Sequence, residues 1–110
     1  MTLATAIILT KDDLETAAYL CLEAGAMVDY DKCLPGTGRV QSNSYHKRKK
    51  RFENALEKLQ RGATSVTELG LWHIDCRWAA GKVDRIKKEL QDDWVLRFQT
   101  AEQEIKNASA

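Results

Sequence analysis

From residue 69 to residue 90 the apolar residues Leu69, Trp72, Cys76, Ala79, Val83, Ile86 and Leu90 follow one another at alternating steps of three and four. That alternation is a heptad seam, the mark of a long helix that must find partners along its length. Ser65-Val66-Thr67-Glu68 reads as a capping box at its start, and no proline interrupts the chain beyond it. The expectation is one helix over 65–105, kinked or closely packed at Gly81. At 1.5 Å per residue such a helix is about 60 Å long.

The stretches ahead of the seam predict two shorter helices. Thr10 is placed as an N-cap with Asp13 three residues on, and Leu9 and Leu14 are spaced for a hydrophobic staple. The first helix is expected over 11–24, with Leu14, Ala17, Ala18, Cys21 and Leu22 on its apolar face. Gly25 is the expected C′ residue, and Ala26, Met27 and Val28 offer a further turn as the alternative. Residues 29–43 read as a loop, with a type II turn at Pro35-Gly36. Ser42 or Ser44 caps a second helix over 45–61, whose apolar stripe is Tyr45, Phe52, Ala55, Leu56 and Leu59 and which Gly62 closes. Residues 1–9 are an apolar arm. They lack the basic flank of a signal peptide and are too short to span a bilayer.

The fold class that follows is all-α, a single domain of 1–110 in which a helical hairpin and an N-terminal helix surround one long C-terminal helix. A second helix of about 25 Å covers less than half of a 60 Å partner. The exposed remainder predicts a homodimer or a stable complex with another protein. Trp78, Trp94 and Phe98 are the expected interface residues, because a large aromatic on an uncovered helix is the usual anchor of a protein interface; the alternative for the two tryptophans, and the preferred one for Trp78, is a core position beneath a folded-back first helix. Trp72, on the seam, is expected in the core.

Charge is where a partner would be legible. The net charge is only +1, but its distribution is uneven. Residues 45–61 hold seven basic and two acidic groups, and the flanking blocks are slightly acidic. The run Lys47-Arg48-Lys49-Lys50-Arg51, bracketed by Tyr45 and Phe52, sits near a helix N-terminus, where positive charge opposes the macrodipole. Phosphate binding or an acidic protein surface would justify it, so nucleic acid is a partner to weigh. The plainer reading is a solvated helix face, with Arg48 close to the apolar stripe.

Chemistry is less well supplied. His73 and Cys76 share a helix face and with Cys21 and Cys33 would make a Cys₃His set, but no CxxC or HxxxH is present and Cys76 lies on the seam. Gly36-Thr37-Gly38-Arg39 lacks the GK[ST] ending of a phosphate loop. Asp12-Asp13 and Asp92-Asp93 point to different helix faces and read as solvated surface. The loop residues Asp29, Asp31, Cys33 and Arg39 are where an enzyme would have to assemble its groups. No metal, cofactor or catalytic set is therefore expected. Three cysteines, an odd number, suit reduced thiols in a cytoplasmic protein without membrane attachment.

The function expected from these features is a non-enzymatic interaction protein that binds or inhibits a macromolecular partner. Nucleic-acid binding through 47–51 is the alternative. Small standalone helical proteins of this style are common among phage and mobile-element accessory genes, an analogy of size alone.

Overall fold

The computed structural model describes residues 8–32 and 42–109. Among them are four α-helices and no strand: α1 (Lys11–Lys32), α2 (Ser42–Gln60), α3 (His73–Ala80) and α4 (Gln91–Ser109). Short 3₁₀ turns at Val66–Leu69, Val83–Arg85 and Lys88–Leu90 join the last three. The all-α class is as expected. The arm's first residues and the Pro35-Gly36 turn lie outside the described residues.

α1 begins as its sequence dictates. Asp13 N donates to Thr10 Oγ1 and Thr10 N donates to Asp13 Oδ2, both at 3.0 Å, a reciprocal capping box. Leu9 and Leu14 are buried in the same core. The helix does not stop at Gly25 but takes the alternative path through Ala26 and on to Lys32. Gly25 serves instead as a close-approach point, where a Cβ would meet the His46 ring at 3.4 Å and Tyr45 Cβ at 3.5 Å. α1 and α2 thus run antiparallel with little space between them. α2 ends in a Schellman motif: Ala63 N donates to Lys58 O, Gly62 N donates to Leu59 O, and Gly62 adopts φ +99°.

The single helix over 65–105 is not formed. Gly70, at φ +78°, terminates Val66–Leu69 in the left-handed region, and Trp72 is extended (φ −91°, ψ 153°) ahead of α3. Gly81 caps α3, and Ile86 is again extended. Ser65 makes no side-chain cap; Glu68 accepts from Thr64 N at 2.8 Å instead. The reason is economical burial. Folding α4 back onto α3 lets one chain cover apolar residues that a straight rod would leave to a partner, and Gly70, at positive φ, makes the first bend inexpensive.

The core lies where the two helix pairs meet. Leu14, Cys21, Phe52, Leu69, Cys76 and Phe98 are fully buried. Phe52 and Phe98 meet edge to face at 6.3 Å between centroids, linking α2 to α4, and Trp94 lies 4.5 Å from Phe98. Trp94 Nε1 donates to Ala79 O at 2.8 Å, so its polar atom is satisfied in the interior. Trp94 is 2% exposed and Phe98 is fully buried. Both were expected at an interface; they are core residues covered by their own chain. With them goes the geometric reason given for a dimer, since the long helix over 65–105 that was to outrun its covering is not formed.

Candidate interaction face

The basic run lies on α2, and its two arginines face α3. At its centre is a fully buried carboxylate that sequence reasoning did not single out, Asp75. Oδ1 accepts from Arg48 Nε at 3.2 Å and Arg51 Nη2 at 2.7 Å; Oδ2 accepts from Arg51 Nε at 2.7 Å and Trp72 N at 2.9 Å. Four donors saturate the two oxygens. The last of them also satisfies an orphan backbone N–H at the start of α3. A buried charge is tolerable only when paired and hydrogen-bonded in this way. Asp75 was legible in principle, as the one acid inside an apolar stretch. Arg48 and Arg51, three residues apart on one helix face, are its natural partners.

The run therefore divides by task. Arg48 and Arg51 bind α2 to α3, and Lys49 pairs with Glu53 at 2.8 Å. Lys47 and Lys50 are exposed and make no ion pair with any described residue. Farther along α2, Arg61 pairs with Glu57 at 2.6 Å, and exposed Lys58 brings its Nζ beside Gly70.

Two tryptophans flank the arginines. Trp72, expected in the core, is 55% exposed, with the Arg51 guanidinium 4.0 Å from its ring centroid. The bend at Gly70 takes it off the seam and over α2. Trp78 is half-buried, with Arg48 at 5.1 Å, Lys82 at 5.2 Å and the Tyr45 ring at 6.2 Å. Of the three expected interface residues, Trp78 alone adjoins the surface. The result is a face of stacked cations and aromatics, fixed from beneath by Asp75.

Other candidates are structural. Asp13, expected on a solvated surface, is buried and takes a bidentate pair from Arg97 at 2.6 and 2.8 Å. Chiefly through that hydrogen bond, Arg97 is held above the usual arginine range against the opposing effect of burial. Cys21 and Cys76 are free thiols pushed up to about 12, first of all by burial, and so are protonated and inert at neutral pH. Among the described residues no group of three His, Cys, Asp or Glu side chains is placed to hold a metal ion. Cys33 and the loop residues Asp29, Asp31 and Arg39 fall outside the described side chains. A shallow groove runs between the start of α1 and residues 85–90, but its deepest acid, Asp13, is already committed to Arg97. No described helix is long and apolar enough to cross a membrane.

Compared with known proteins, the chain matches no family model, no curated protein and no solved structure.

Proposed function

We propose that this is a non-enzymatic interaction protein that binds or inhibits another protein through the face formed by α2 and the start of α3. The observation that carries the reading is Trp72. A tryptophan 55% exposed, stacked on an arginine that is itself clamped to a buried carboxylate, is a rigid amphipathic anchor presented to solvent. Trp, Tyr and Arg are the residues that dominate binding energy at protein interfaces. Because Asp75 and Trp72 hold Arg51 in place already, little side-chain entropy is lost when a partner docks.

Nucleic acid is the weaker reading. Arginine is the residue suited to bidentate phosphate recognition, and both arginines of the run are bound to Asp75. What favours it is the exposure of Lys47 and Lys50. The buried, reduced thiols suit the cytoplasm as the place of action.

Affinity capture from an extract of the host, with and without nuclease, tests this with two baits, the native chain and Trp72→Ala. A stoichiometric protein that survives nuclease and is lost with Trp72→Ala is the expected result. Capture that depends on nucleic acid, or recovery of the bait alone, overturns it; a second copy of the chain as the captured protein would make the partner a homodimer.

A further inference from the structure

Lys47, Lys50, Asn54 and Lys58 succeed one another at steps of three, four and four, and all are exposed. They form one row along α2, about 16 Å long at the rise of an α-helix. Its three lysines make no ion pair with any described residue, whereas Lys49 and Arg61 beside them are neutralised by Glu53 and Glu57. Trp72 stands over Arg51 along the middle of the row, and the Lys58 ammonium beside Gly70 brings the row's end to the segment that carries Trp72. A line of open ammonium groups beside an exposed aromatic ring is complementary to a segment carrying carboxylates and one large apolar side chain.

Resting on the docking role given above to this face, we propose that its ligand is an acidic peptide segment of the partner. Its carboxylates lie along Lys47, Lys50 and Lys58, and an apolar side chain packs on Trp72. Charge complementarity selects the acidic class. The flanking pattern selects a peptide over nucleic acid. A phosphodiester chain places a charge at every residue and would meet Glu53 and Glu57 at the edges of the row. With only three open lysines it would release few counterions. A peptide can place its carboxylates opposite the lysines alone.

The test uses the full chain and three probes: a peptide with three glutamates separated by neutral residues and a central phenylalanine, the same peptide with glutamine for glutamate, and an oligothymidylate of equal length. Affinity is read by fluorescence anisotropy, and the contact surface by amide and indole shifts in ¹H–¹⁵N spectra. The expected result is binding of the glutamate peptide alone, with shifts at Lys47, Lys50, Lys58 and the Trp72 indole. Lys47→Glu/Lys50→Glu/Lys58→Glu should weaken it by roughly tenfold or more, because three exposed attractions become three repulsions. These lysines are exposed and make no ion pair with any described residue, so the variant should keep the fold, which its spectrum checks directly. Equal binding of the glutamate and glutamine peptides, or no binding of either, overturns the proposal, and tighter binding of the oligothymidylate replaces it with nucleic acid. Failure of this inference is separable from failure of the docking role. A host protein captured by the triple-lysine variant yet lost with Trp72→Ala leaves the face a docking surface but removes its acidic ligand.

Discussion

Asp75 shows how one side chain can reassign its neighbours. Three of five consecutive basic residues are engaged, two by this carboxylate across to α3 and one by Glu53 within α2, so a run that reads as a patch is in part a helix-to-helix clasp. Removing the carboxylate leaves two partly buried guanidinium groups without their counter-charge and α3 without an N-terminal acceptor. Asp75→Ala should therefore destabilise the fold by about 3–5 kcal/mol in urea titrations. Trp72→Ala, at an exposed ring, should change stability by less than about 1 kcal/mol while abolishing partner capture. The opposite order of these two effects would show that Trp72 is structural. The buried thiols make a prediction about pH. Cys21 and Cys76 titrate near 12 in the fold against 9.0 ordinarily, so the unfolded chain loses these protons first. Their contribution is complete below pH 9 and declines as pH rises toward 12. Denaturation midpoints of the native chain should fall more steeply across that window than those of Cys21→Ala/Cys76→Ala.

At the scale of elements, the ends of helices decide the topology. The Thr10–Asp13 box and the Gly62 Schellman motif are local chemistry, and both were readable from residue types and spacing. Thr10→Ala should cost about 1 kcal/mol by removing the acceptor for Asp13 N. The box expected at Ser65–Glu68 failed because its signature competes with the turn that Gly70 makes five residues after Ser65. Gly70→Ala tests this. Its φ of +78° disfavours any side chain, while the Lys58 ammonium nearby can swing away. We expect a loss of about 1 kcal/mol from backbone strain, read as a lower thermal midpoint. If the chain instead tolerates alanine with a gain in helicity, the bend at Gly70 is a weak preference and the straight helix is close in energy.

For the whole molecule, the junction of Phe52, Trp94 and Phe98 unites the two helix pairs, and Phe98→Ala should cost about 3–5 kcal/mol with loss of cooperative unfolding. The sequence by itself determined that the chain is helical, where α1 begins and α2 ends, and that Leu69, Cys76 and Ala79 are interior; α2 starts at Ser42, three residues ahead of the expected 45. Those properties follow from side-chain spacing and from hydrogen bonds made within a few residues. Only the tertiary structure decided that the seam breaks at Gly70 and Gly81, that Trp94 and Phe98 are covered by their own chain, and that Trp72 faces solvent while Asp75 does not. A heptad pattern specifies which residues must leave water and is silent on what covers them. A return of the same chain and a second molecule satisfy it equally. The choice between them rests on long-range pairs such as Arg51–Asp75 and Arg97–Asp13, separated in sequence by 24 and 84 residues, which no local pattern encodes.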